Sequence, residues 1–290
     1  MYSLYERPEL DAPVLLLSLD GWIDAGLAAA TARDTILDGR ETLLVATFDT
    51  DILLDHRARR PTMHIDDGVT TGLTWPSIEL HATVDDAGND VLVLMGAEPD
   101  HQWRGFASAV CDLALSMEVR GVIGLGAYPA PVPHTRASRI VTTATERGVA
   151  RLIGHVPGRI DVPAGVQAAI EQHATSVGMP ATGLWAQVPH YVAGMPYPGA
   201  AVSLIEALVP ATDLHFGTGD LASDAADNRA RIDELVAGNV EHQTMVRLLE
   251  EQDDATFGAT PGAERLDDAP LPSGDELAAE LEQFLRDQDD

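Results

Sequence analysis

The sequence predicts an α/β fold: a sandwich on a mixed, mostly parallel sheet, with a helical C-terminal extension. Three observations carry this. Apolar β-rich runs alternate with helical patterns over the first 210 residues, the grammar of right-handed strand–helix crossovers. Several runs, such as LLLSL at 15–19 and VLVLM at 91–95, are almost continuously apolar, as strands covered on both faces must be. Past Pro210 the texture turns acidic and helical.

The expected strands are Val14–Leu19, Thr42–Thr47, Asp90–Met95, Gly121–Leu125, Ala150–His155 and Thr182–Val188. Between them the apolar spacing predicts helices over Ala25–Leu37, Gln102–Glu118, Ser138–Glu146, Pro163–Ser176 and Gly199–Leu208. Pro163 suits a first helical turn, and Gly148 and Gly178 suit helix stops. Residues 61–90 break the alternation: Asp-Asp-Gly and Asp-Ala-Gly turns between β-prone stretches predict antiparallel hairpins. This makes the sheet mixed.

The expected organisation is a core domain, 1–212, followed by an acidic helical extension, 213–290. Within the extension, residues 222–252 carry helical spacing. A Pro-, Gly- and Asp-rich linker follows at about 253–275, then an amphipathic helix over 275–287 that Ser273 could cap.

Composition bounds the function. The 290 residues carry a net charge of −28, and all 18 basic residues are arginine. That balance speaks against nucleic acid, which needs clustered positive charge. No apolar run approaches the ~20 residues that cross a bilayer, and the N-terminus lacks the pattern of a secretory signal. A single cysteine, Cys111, allows no internal disulfide. It has no basic neighbour and reads as an inert core thiol. A cytoplasmic protein is expected. The charge is uneven: residues 213–290 hold 21 Asp/Glu and 5 Arg, whereas 104–159 hold 7 Arg and 3 acids. That relatively positive island could bind an anion or an acidic partner, dock the chain's own acidic tail, or simply scatter arginines over a surface.

In open α/β sheets ligands sit beyond the carboxyl ends of the strands. Four loops there are rich in polar and aromatic groups: DGWIDAG at 20–26, GAEPDHQWR at 96–104, GAYPAPVPHTR at 126–136 and PHYVAGMPYPGA at 189–200. One shared cleft is expected, with Asp20, Trp22, Asp24, Glu98, Asp100, Trp103, Tyr128, His134, Arg136, His190 and Tyr191 around it. Each has a structural alternative. Asp20 and Asp24 could be a general base or metal ligand, or a turn residue and a helix cap. Glu98 and Asp100 could be an acidic pair, or a turn with Asp100 as N-cap. His134 and Arg136, on a proline-stiffened loop, suit an anion or carboxylate, but serve equally as structural hydrogen-bonding groups. Trp22 and Trp103 serve more often as core anchors than as stacking platforms. Arg57, Arg59 and Arg60, within DHRARRP at 55–61, could bind phosphate or carboxylate, or pair across a subunit interface or within the chain.

Strong catalytic and cofactor motifs are missing. GLGAYP at 124–129 has proline where a dinucleotide loop wants glycine, and there is no Walker loop, Gly-x-Ser-x-Gly elbow or His-Glu-x-x-His. No spaced cluster suggests a metal site, so neither metal nor cofactor is expected.

Five short motifs in order, LDGWIDAG at 19–26, DHRARRP at 55–61, GAEPDHQW at 96–103, LGAYPAPVPHTR at 125–136 and VPHYV at 188–192, resemble the actinobacterial branch of the proteasome assembly chaperone 2 family. Together they span roughly residues 10–210. Ala137 and Ala97 depart from it where proline is usual. The resemblance implies a three-layer α/β/α core, similar to phosphorylase- and peptidyl-hydrolase-type folds, and frequent homotrimers. Eukaryotic relatives assemble proteasome α-subunits. Some bacterial members carry an ATP-grasp or carboxylate–amine ligase label, a chemistry that usually wants lysines near the nucleotide. The family supplies no catalytic residues to carry over.

Two functions follow. One is a non-enzymatic assembly or interaction protein, a homo-oligomer (a trimer by the resemblance) with proteasome subunits as protein partners. The other is a hydrolase or ligase-type enzyme with His134, Arg136, Asp24 and Glu98 near its substrate. A single concave pocket holding those four would favour the second; side chains consumed in caps and ion pairs would favour the first.

Overall fold

The computed structural model describes residues 1–21, 24–145, 153–156 and 158–257. Two compact units divide the chain, Met1–Glu250 and Glu251–Asp290. In the second, the described residues only carry a helix on to Phe257; most of the expected linker and the helix over 275–287 lie outside the described residues.

The first unit is a sandwich on an eight-stranded sheet. Its strands are β1 (Tyr2–Leu4), β2 (Val14–Asp20), β3 (Leu43–Phe48), β6 (Ile78–Val84), β7 (Asp90–Ala97), β8 (Gly121–Ala130), β9 (Ile140–Ala144) and β10 (Ala181–Pro189). They lie in the order β1-β3-β6-β7-β2-β8-β10-β9. The central pairs β7/β2, β2/β8 and β8/β10 are parallel and the outer pairs antiparallel, so five strands share one direction. A separate two-stranded sheet joins β4 (Thr62–Asp66) to β5 (Val69–Thr74). Its turn places Asp67 and Gly68 at positive φ, as a two-residue type I′ connection requires. The hairpins expected over 61–90 are therefore present.

Helices cover both faces, and alternation along the central strands assigns the layers. Val14, Leu16, Val91, Val93, Ile123 and Leu125 face one core with helices α1 (Ala28–Leu37), α5 (Pro198–Thr212) and α6 (Leu221–Ala237). Leu15, Leu17, Leu92, Leu94 and Val122 face the other with α3 (Trp103–Ser116) and α4 (Val166–Ser176). The short α2 (Thr50–Leu53) follows β3, and α7 (Val240–Phe257) follows α6. Cys111 is fully buried on α3, where burial, then Asp112, pushes its thiol up to about 11.

Three expectations are corrected. Ser138–Glu146 was expected to be helical; instead Ile140–Ala144 forms edge strand β9, antiparallel to β10. The β-branched run Ile-Val-Thr-Thr fits a pleated surface better than a helix, and β10 offers it a ladder. The described part of Ala150–His155, residues 153–155, is not in a strand. Helix α4 begins at Val166, beyond Pro163.

Candidate functional site

Strand order reverses at β2, which has parallel neighbours on both sides. The crevice expected in an α/β sheet therefore opens at the carboxyl ends of β2, β7 and β8. A cavity of about 30 Å³ lies there, lined among others by Gly21, Asp24, Glu98, Gln167 and Trp185. That is room for one or two waters.

The loop after β2 is held to its neighbours by its backbone. Gly26 has φ 66°, its N–H donates to Ala193 O at 2.9 Å, and its carbonyl accepts from Tyr197 N at 2.8 Å. A Cβ at Gly26 would sit 2.7 Å from the Tyr197 Cβ, so both backbone angle and packing demand glycine. Asp24 then accepts the N–H groups of Ala29 (2.8 Å) and Ala30 (3.0 Å) and caps the first turn of α1. Burial raises its carboxyl above the usual range, only partly opposed by those N–H groups. Glu98, also buried, accepts Val166 N at 2.7 Å and so caps α4. Asp20 holds Arg33 at 2.8 Å. Trp22 lies outside the described residues.

Behind the cavity is a polar network around the buried Glu171 that sequence reasoning missed. Gln167 Nε2 donates to Glu171 Oε1 at 2.9 Å, Thr143 bonds the same carboxyl, and Trp185 Nε1 donates to Thr143 Oγ1 at 3.0 Å. Desolvation lifts the Glu171 carboxyl to about 7 despite these bonds. The network lies on a floor of glycines. Gly124 and Gly183 are register partners on β8 and β10, and Gly126 is opposite Trp185. A Cβ at Gly124, Gly126 or Gly183 would come within 2.0, 2.4 or 2.5 Å of Gln167, Trp185 or Thr143. Glycine inside a strand marks close approach; the Gly-x-Gly of 124–126 was that signal, read only as a poor dinucleotide loop.

The His134 loop forms a second site. His134 is buried, its backbone N–H donates to the Tyr191 hydroxyl at 2.8 Å, and its Nδ1 lies 2.7 Å from the same oxygen. Its Nε2 meets Asp233 Oδ1 of α6 at 3.0 Å. Asp233 can only accept, whereas the Tyr191 hydroxyl can donate, so the tautomer that satisfies both carries its proton on Nε2 and accepts one hydrogen bond from Tyr191 at Nδ1. Burial, with nearby carboxylates, pushes the Tyr191 phenol up to about 12. Arg136 Nη1 lies 3.6 Å from Glu250 Oε1, which also accepts from Thr135 Oγ1. His190 sits beside Tyr191 in an edge-to-face contact and reaches Ala130 O. Tyr128 OH accepts from Gln187 at 2.9 Å. Thus this part of the positive island docks the chain's own acidic helices.

A third group stands at the opposite side of the sheet. Asp100 accepts Asp55 N at 2.8 Å and Arg59 Nε at 3.2 Å. Burial opposes its charge, but the Asp55 N–H and the Arg59 guanidinium outweigh it and hold the carboxyl below the usual range. Trp103 Nε1 donates to Pro99 O at 2.6 Å. Arg57 and Arg60 are exposed.

The structure thus brings Asp24 and Glu98 to one cavity and His134, Tyr191, His190 and Arg136 to another locus; Asp100 and Arg59 belong to a third. Among the described residues no group of three His, Cys, Asp or Glu could hold a metal ion, and no helix is long and apolar enough to cross a membrane.

Residues 18–236 match the PAC2 family. The chain is similar to a Mycobacterium tuberculosis protein of unknown function, Rv2714, at 35% identity over 89% of this chain and 92% of that one, with a TM-score of 0.83. A Mycobacterium tuberculosis proteasome-assembly chaperone homologue, Rv2125, shares 29% identity over 80% and 99% of the two chains, TM-score 0.75. A Streptomyces avermitilis PAC2 family protein shares 31% over 81% and 99%, TM-score 0.71. No curated protein matches the chain.

Proposed function

Because the chain belongs to the PAC2 family, we propose that it is a protein-assembly module acting on proteasome-type subunits, not an enzyme. It works as a cytoplasmic homo-oligomer, a trimer, with a 1–212 core domain and an acidic segment, 213–290, that contacts partners or neighbouring subunits. The observation that carries the non-enzymatic part is the use of the polar side chains. Asp24 and Glu98 cap helices, and His134 and Arg136 hold acidic helices. An acid–base or nucleophilic site needs such groups pointed at a substrate, and the cavity beside Asp24 and Glu98 has room for one or two waters. The likeness to a proteasome-assembly chaperone homologue supports the partner class.

The test is co-purification of the tagged full chain with 20S proteasome α-subunits expressed alone and as assembled rings. Retention of free α-subunits, and faster ring formation in their presence, is the expected result. Absence of retention, together with turnover of an ester, amide or nucleotide by the pure protein, would overturn it.

A further inference from the structure

The β4–β5 hairpin stands apart from the main sheet, and nearly every residue in it is exposed. Its faces differ. Thr62, His64 and Thr74 share one, with His64 Nε2 2.7 Å from Thr74 Oγ1. Met63, paired with Leu73, shares the other with Ile65, and Trp75 stands just past the end of β5. These four apolar side chains are 49–57% exposed. A lone two-stranded hairpin is marginal in water, and a contiguous exposed apolar face marks an interaction surface. The base of the arm is braced: Trp75 packs edge-to-face on His56 with centroids 5.0 Å apart, and Arg59 holds Asp100. Beside it Arg57 and Arg60 are exposed, their side chains in no ion pair among the described residues.

The complement of such a surface is apolar and acidic, and the chain carries one. Residues 213–250 hold eight Asp/Glu and three Arg. On α6 and α7, Leu235, Val240 and Leu248 are 57–76% exposed; Val240 and Leu248 lie eight residues apart, on one helix face. Both surfaces are exposed within a single copy, so neither covers the other in that copy. We infer that the β4–β5 arm of one copy, with Arg57 and Arg60 at its base, docks on the acidic α6–α7 surface of a second copy. The contact is head-to-tail, so it repeats around a ring until closure. This deepens the self-association in the proposed function and rests on it.

Sedimentation of the full chain over a range of concentrations tests it. Wild type forms a species that is a multiple of 30.9 kDa, and association weakens toward ~1 M salt, where screening shortens to ~3 Å. R57E/R60E, which leaves the hairpin packing alone, and I65D/L73D each weaken association at least ~10-fold, the scale of an interface anchor. E234R/E241R does the same from the other side. Mixing R57E/R60E with E234R/E241R restores association, since one contact then keeps its native charges and the other has both of them reversed. No complex from that mixture, or arm variants that keep the wild-type mass, overturns the arm contact while leaving self-association standing. Wild type at 30.9 kDa at every concentration overturns both.

Discussion

The Nε2 of His134 lies 3.0 Å from Oδ1 of Asp233, ninety-nine residues further along the chain. The imidazole is almost wholly buried, with its side chain 1% exposed, while the carboxylate is half exposed. A residue that in sequence suits a ligand therefore ties helix α6 to the loop after β8.

Removing the acceptor strands a buried donor. Asp233→Ala is expected to destabilise by about 1–3 kcal/mol, the cost of an unsatisfied buried group, equivalent to several degrees of Tm at this size. Amide exchange should quicken over 221–237 and stay slow in β2 and β7. Unchanged exchange in α6 would show that the pair does not hold the helix.

Glu171 gives a pH signature. Below the ordinary carboxyl value of 4.5 both folded and unfolded chains hold its proton. As pH rises toward the folded value of about 7, the unfolded chain releases it and the native chain keeps it, so native stability falls. Above that the loss is complete, roughly 3 kcal/mol at ~1.4 kcal/mol per pH unit. Glu171→Gln keeps partners for Gln167 and Thr143 and removes the titration. The variant should match wild type near pH 4 and exceed its Tm above pH 7; parallel pH–Tm curves would refute this.

The glycine floor is testable by contrast. Gly183→Ala places a Cβ 2.5 Å from Thr143 Oγ1 and 2.7 Å from Trp185 Nε1, and overpacking of this kind costs about 1–3 kcal/mol. Gly72→Ala in β5 meets nothing within 4 Å and should stay within ~0.5 kcal/mol of wild type. Denaturant titration of both separates steric demand from mere strand position.

Asp24 should behave as a cap. Asp24→Ala is expected to cost about 1 kcal/mol, and Asp24→Asn less, since an amide oxygen still accepts. Equal losses in the two would mean that the charge, not the hydrogen bond, matters there.

Cys111 should be silent. Burial holds its thiol at about 11, so a thiol reagent should modify it only as fast as the chain unfolds. Modification of the native protein within minutes at neutral pH would contradict the packing.

Legibility in the sequence was uneven for physical reasons. The buried central strands and the Asp67-Gly68 hairpin are local in cause, since a doubly covered strand must be apolar throughout and a type I′ turn needs positive φ. Strand β9 was misread because Ile140–Ala144 is short, and its pairing with β10 is a contact between distant segments. Gln167, Glu171 and Trp185 went unnoticed because nothing in a helix or a strand announces which glycines will lie beneath it.

By itself, then, the sequence determined the layers, the hairpins, the loops after the strands and the imbalance of charge, because periodicity, turn stereochemistry and composition act over a few residues. Only the tertiary structure decided what the polar groups do. It put Asp24 and Glu98 on helix ends, sent His134 and Arg136 to acidic helices far along the chain, and left the β4–β5 arm uncovered. A side chain's partner is a matter of position in space, and one carboxylate can cap, pair or catalyse according to what stands within 3 Å of it.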